Sequence, residues 1–120
     1  MKVNKIDHLC IAVKDLEAAK KTWAPLLGKQ PDVEYVDEGE KIRVARYILG
    51  GVGFELMEST TPDGDVASFV AKHGEGVMLV SLNVDSTAEA VDEVKGQGYP
   101  VIGGLRDFQD DIAGSMAALD

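Results

Sequence analysis

Short strand-like runs alternate along the chain with stretches of helical periodicity. Ile6–Val13 reads Ile-Asp-His-Leu-Cys-Ile-Ala-Val, β-branched and apolar residues interrupted by one imidazole. Successive side chains on a strand point to opposite faces. His8 therefore shares a face with Ile6, Cys10 and Ala12, while Leu9, Ile11 and Val13 take the other. Asp15 is placed to cap a helix, and Leu16, Ala19, Trp23 and Leu26 recur at helical spacing, which predicts an amphipathic helix to about Leu27. Pro25 predicts a kink or a shortened last turn, and Gly28 ends the pattern. Val33–Val36 is a short strand that stops at the polar turn Asp37-Glu38-Gly39-Glu40. Ile42–Leu49 alternates as a strand, Gly50-Gly51 supplies a hairpin turn, and Val52–Glu58 returns. On that returning strand Gly53, Glu55 and Met57 share one face, with Phe54 and Leu56 on the other.

Thr61-Pro62-Asp63 is a helix-start signal; Val66, Phe69 and Val70 give that helix its buried side, and His73-Gly74 closes it. His73 is accounted for as a cation at a helix C-terminus. The opening frame then returns. Val77–Val84 is a strand, Ser86-Thr87-Ala88-Glu89 is a capping box, and Ala90, Val91 and Val94 form a helix face that ends at Gly96 and Gly98. Aligning His8 with Leu79 also aligns Val13 with Val84, Asp15 with Ser86 and Ala19 with Ala90, an internal duplication of a strand–helix–strands unit. Tyr99–Ile102 is the next predicted strand, Gly103 to Asp111 a charged turn region, and Ile112–Leu119 a further strand. The second copy is then one strand short of the first.

Composition narrows the function classes. A length of 120 residues suits one domain with a single core. Twelve basic against 21 acidic residues give a net charge of −9, which disfavours nucleic acid and anionic membranes as partners. No apolar run approaches the roughly 18 residues of a membrane span, and Met-Lys-Val-Asn-Lys lacks the apolar core of a signal peptide. Cys10 is the only cysteine, so no intrachain disulfide forms and a reducing cytoplasm is the expected location. Placed mid-strand with no His or Lys beside it in sequence, Cys10 reads as a buried, inert thiol.

The stretch Ile6-Asp7-His8-Leu9-Cys10-Ile11-Ala12-Val13-Lys14-Asp15-Leu16-Glu17 resembles the opening of the vicinal oxygen chelate, or glyoxalase-like, superfamily. Thr61-Pro62-Asp63, Val66-Ala67-Ser68-Phe69 and Lys72-His73-Gly74-Glu75-Gly76-Val77 resemble its methylmalonyl-CoA epimerase branch. The likeness spans about Lys5 to Ile102. It implies an α+β fold of two βαβββ modules that form an open, cup-shaped mixed sheet. Module one covers about residues 1–60, a linking helix about 62–74, and module two about 75–120 without its last strand. Such an exposed sheet edge predicts a homodimer. A structural half completed by a partner chain is a less favoured expectation.

The superfamily holds a divalent metal with four ligands: His on the first strand, Gln or Glu on the fourth, His on the fifth and Glu on the last. Carried over, His8 fits the first and Glu55 the second. The third falls on Leu79, which cannot bind a cation, and the fourth on a strand past Asp120. The implied ion is Co, Mn, Ni or Mg, and the implied reaction is epimerisation of an acyl thioester, an acyl-CoA, through proton removal beside a carbonyl. The alternatives are a metal-free small-molecule-binding protein on the same scaffold, and a lactoylglutathione lyase-like enzyme. No organic cofactor is implied and no general base is assigned. Glu34, Glu38 and Glu40, near the neighbouring strand pair, are conceivable bases, and a solvated acidic turn is the preferred reading of them. Glu55 carries more weight, because a carboxylate between Gly53 and Met57 on an apolar strand loses hydration unless a partner compensates. Trp23 and Phe69 read as core, and Arg43 and Arg46 face opposite sides of one strand, so at most one enters the cup.

Overall fold

The computed structural model describes residues 1–101, 107–110 and 114–117. Strand β1 (Val3–Ala12) leads into helix α1 (Leu16–Leu27), followed by β2 (Val33–Asp37), β3 (Ile42–Leu49) and β4 (Val52–Ser59). This is the βαβββ order expected of module one. Helix α2 (Asp65–His73) precedes β5 (Gly76–Val84), α3 (Thr87–Gly96), β6 (Asp107–Asp110) and β7 (Gly114–Ala117). The α+β reading holds. Five strands form a mixed open sheet in the order β2-β3-β4-β1-β5, with β1 and β4 parallel and β2-β3-β4 an antiparallel meander; β6 and β7 pair separately.

The chain divides into two compact units, His8–Val80 and Met1–Asp7 with the residues from Ser81 onward. In His8–Val80 the core lies on both faces of the sheet. On one face Ala45, Tyr47, Leu56 and Phe54 pack with Leu16, Ala19, Trp23 and Leu27 of α1, and the Trp23 and Phe54 rings meet at 4.9 Å. Tyr47 is fully buried there; among the described residues its hydroxyl has no hydrogen-bond partner, and desolvation raises its pKa. On the other face Ala12, Ile42, Val44 and Met57 pack with Val66, Phe69 and Val70 of α2. In the other unit Asn4 Nδ2 donates to Asn83 Oδ1 at 3.1 Å and Asp85 Oδ1 at 2.9 Å, and the amino terminus pairs with Glu93.

Local rules explain most boundaries. Asp15 accepts from Ala18 N at 3.1 Å and Ser86 from Glu89 N at 3.2 Å, each capping its helix. Gly28 ends α1 in the left-handed region at φ 73°, where glycine pays no Cβ penalty. Gly50 and Gly51 both take positive φ, 56° and 86°, as a tight primed hairpin requires.

Four expectations need correction. Leu27, not Leu26, completes the α1 stripe, and Leu26 is 71% exposed. The two flank the stripe's centre at about 50° on either side, at 100° per residue, so only the position of the sheet decides between them. Helix α2 begins at Asp65, three residues after the expected start near Pro62. Asp63 instead accepts from Thr61 Oγ1 and pairs with Lys41, and Ser59 Oγ takes the Ala67 N–H at 2.8 Å. The predicted strand at Tyr99 is absent over Tyr99–Val101, because the Tyr99 N–H closes the end of α3 on Val94 O and Pro100 has no N–H to give a ladder; Ile102 lies outside the described residues. Asp107–Asp110, read as turn, is a strand paired with Gly114–Ala117, inside the further strand foreseen at Ile112–Leu119. Residues 103–106, 111–113 and 118–119 of those two predictions lie outside the described residues.

Candidate metal and substrate site

The parallel register of β1 with β4 sets His8 opposite Gly53 and Cys10 opposite Glu55. The hairpin register of β3 with β4 sets Arg46 opposite Glu55 as well. Side chains of cross-strand partners project to the same face, so Cys10, Glu55 and Arg46 form one row across three strands. His8 stands in the neighbouring row, on the same face of β1 as Cys10. Glycine at position 53 gives that row no side chain on β4, and the Arg46 guanidinium passes over the space: a Cβ on Gly53 would lie 2.8 Å from Arg46 Cζ and 3.0 Å from His8 Cβ.

The cluster is buried. His8 is 7% exposed, Cys10 2%, Glu55 2% and Arg46 4%. Donor atoms of His8, Cys10 and Glu55 all lie within 4.8 Å of one another. Glu55 divides its two oxygens: Oε2 accepts from Arg46 Nη1 at 2.6 Å, and Oε1 accepts from Cys10 Sγ at 3.7 Å. The buried carboxylate thus has the compensating partner that its position in the sequence demanded. Burial raises the Cys10 pKa most, the neighbouring Glu55 charge and hydrogen bond raise it further, and Arg46 opposes them. The thiol therefore carries its proton at neutral pH.

Both residues singled out as ligands, His8 and Glu55, are brought together. Leu79, at the position of the expected third ligand, is 37% exposed on β5 and offers no donor. Arg43 is exposed, and Arg46 is the one that enters the cluster. Glu34 is tied to Lys20 at 2.5 Å, Glu38 is exposed, and the Glu40 N–H is held by Asp37 at 3.1 Å, in keeping with an acidic surface. His73 is exposed at the end of α2, its ring 5.0 Å from that of Phe69.

Sequence reading left the choice between Arg43 and Arg46 open and missed Cys10. The signal for Arg46 was available, because a two-residue turn at Gly50-Gly51 fixes the hairpin register and places position 46 opposite position 55. Cys10 stood two residues from His8 on one strand face, but its meeting with Glu55 depends on the parallel register of two strands far apart in the chain. No local pattern encodes that register.

A family model described as the Glyoxalase/Bleomycin resistance protein/Dioxygenase superfamily matches residues 7–114. The uncharacterized protein YqjC of Bacillus subtilis (strain 168) is 28% identical over 100 residues, 83% of this chain and 71% of that protein. The mitochondrial methylmalonyl-CoA epimerase of Mus musculus is 28% identical over 95 residues, 78% of this chain and 53% of the relative, so the chain spans about half the length of that enzyme. Among solved structures, a Streptomyces coelicolor methylmalonyl-CoA epimerase variant in complex with 2-nitronate-propionyl-CoA superposes with a TM-score of 0.81 at 22% identity, over 99% of this chain and 86% of that one. At that identity the likeness is one of fold.

Proposed function

The chain belongs to the Glyoxalase/Bleomycin resistance protein/Dioxygenase superfamily, and from that premise we propose that it is an isomerase of the methylmalonyl-CoA epimerase type, moving the α-proton of an acyl-CoA thioester. The observation that carries the reading is the convergence of His8 and Glu55 in one buried cluster with donor atoms within 4.8 Å. An imidazole and a carboxylate so placed suit a divalent cation, and His8 and Glu55 are the residues that would hold it. Such an ion polarises a carbonyl oxygen and stabilises the negative charge that develops when a neighbouring proton leaves.

The chain's own residues prepare that chemistry. Arg46 holds one oxygen of Glu55 and fixes the carboxylate plane, as groups behind a ligand commonly do. Gly53 leaves the room through which the guanidinium reaches Glu55. The burial of all four groups keeps water from competing for them.

The test is α-proton exchange of methylmalonyl-CoA in deuterated water, followed by proton NMR, with Co, Ni, Mn, Mg or Zn supplied in turn. The expected result is metal-dependent loss of the α-proton signal, reduced on the order of 100-fold or more in His8→Ala and in Glu55→Gln. Folded protein that exchanges no α-proton with any ion overturns the reading. The competing reading is a metal-free binding protein on the same scaffold, favoured by Leu79 and by the Arg46–Glu55 ion pair, which already neutralises the carboxylate. Acyl-CoA binding that is indifferent to chelator, with no exchange, selects it. Turnover of the glutathione hemithioacetal of an α-ketoaldehyde would instead select a lactoylglutathione lyase-like enzyme.

A further inference from the structure

We propose that Cys10 is a third protein ligand of this site, making it selective for a thiophilic divalent ion such as zinc, cobalt or nickel. The inference rests on the metal-dependent reading above and goes beyond it in the donor set and in the class of ion.

Three observations support it. First, the separation is right. Around a tetrahedral ion with a sulfur ligand at about 2.3 Å and an oxygen ligand at about 2.1 Å, the two donors stand about 3.6 Å apart. Cys10 Sγ and Glu55 Oε1 are 3.7 Å apart. Second, the placement is built into the sheet. Cys10 is the register partner of Glu55 and lies on the same strand face as His8, so two adjacent strands bring the three donor atoms within 4.8 Å of one another. Third, Glu55 Oε2 is taken by Arg46 and Oε1 faces the thiol. One oxygen therefore stays available to an ion while the other keeps its guanidinium.

The charges also add up sensibly. Before an ion binds, the Glu55 carboxylate and the Arg46 guanidinium balance each other. A divalent ion that binds as the thiol gives its proton to solvent leaves a net charge of one positive unit. With three protein donors, a tetrahedral ion keeps one open position. An anionic or carbonyl oxygen of a substrate suits both the charge and the vacancy. Magnesium and manganese, which favour carboxylate, carbonyl and water oxygens, gain little from sulfur. Of the ions expected from the sequence, cobalt and nickel remain, and zinc joins them.

The experiment is zinc K-edge X-ray absorption on the intact chain, paired with the electronic spectrum of its cobalt form. The expected result is one sulfur neighbour at about 2.3 Å among nitrogen and oxygen neighbours at about 2.0–2.2 Å, and thiolate-to-cobalt charge-transfer absorption in the near ultraviolet. Cys10→Ser should lose both signals and bind cobalt at least on the order of 100-fold more weakly. An ion bound with nitrogen and oxygen neighbours only overturns the role of Cys10 and leaves the His8 and Glu55 reading standing. Failure of the wild-type chain to retain zinc or cobalt overturns this inference, and the proton-exchange assay then decides the reading beneath it separately. The absorption measurement needs no variant, so a poorly folding Cys10→Ser protein does not blunt the test.

Discussion

β1 and β5 start from one sequence frame and finish in different surroundings. On β1, Cys10 and Ala12 are almost wholly buried and His8 is 7% exposed. On β5, Ser81 is buried, yet Val77, Leu79, Val80 and Leu82 are all exposed to between 37% and 56%. β1 is an inner strand with β4 beside it, whereas β5 is the edge of the five-stranded sheet among the described residues. A strand's residues acquire chemistry from what the neighbouring strand presents in register. His8 and Cys10 face Gly53 and Glu55, which supply room and a carboxylate. Duplication copied the frame and its helix cap. Among the described residues, it did not copy the row of polar partners.

The contrast can be pressed hardest at Arg46. Its removal leaves Glu55 as an uncompensated buried charge, so Arg46→Ala should cost about 3–5 kcal/mol in urea unfolding. Replacing Arg46 and Glu55 together by Leu should recover most of that loss. Equal costs for the single and the double variant would show that the row is held by something other than this pair. Next, Leu56→Ala in the buried core should destabilise by about 2–5 kcal/mol, and Leu79→Ala on β5 by about 1 kcal/mol or less. Comparable losses would mean that Leu79 is as buried in solution as Leu56.

The two caps offer a test of likeness. Asp15→Ala and Ser86→Ala should each cost about 1 kcal/mol, since the two residues hold nearly the same backbone geometry, φ −140° and ψ 107° against φ −138° and ψ 114°. Tyr47→Phe removes a buried hydroxyl that has no partner among the described residues, so it should be neutral or stabilising by up to about 1 kcal/mol. Because desolvation raises the native Tyr47 pKa, wild-type stability should be intact below about pH 10 and fall as pH rises through the native value. The Phe variant should lack that alkaline loss. The smallest effect is expected at Asp32, whose pKa is lowered first by the Ile48 N–H and then by Lys29. Its contribution is present above the unfolded value of about 3.9 and lost as pH falls through the depressed native value. Asp32→Asn should flatten that part of the acid unfolding curve.

Much of this was legible without coordinates. Period-two and helical patterns, the Asp15 and Ser86 caps, the Gly50-Gly51 turn and the repeated frame are local, set by side-chain direction and backbone freedom within a few residues. They fixed the module order and marked His8 and Glu55 as the polar intrusions needing a reason. The hairpin turn even implied the Arg46–Glu55 pairing. What the fold alone decided is which distant strand lies against β1 and in which register. Shifting a strand by one residue turns every side chain to the other face, and the parallel pairing of β1 with β4 bridges an entire helix and hairpin that carry no record of it. Whether Cys10 is an inert thiol or a neighbour of a carboxylate and an imidazole therefore rests on tertiary packing, as does the choice between Leu26 and Leu27 on a stripe that sequence leaves evenly balanced.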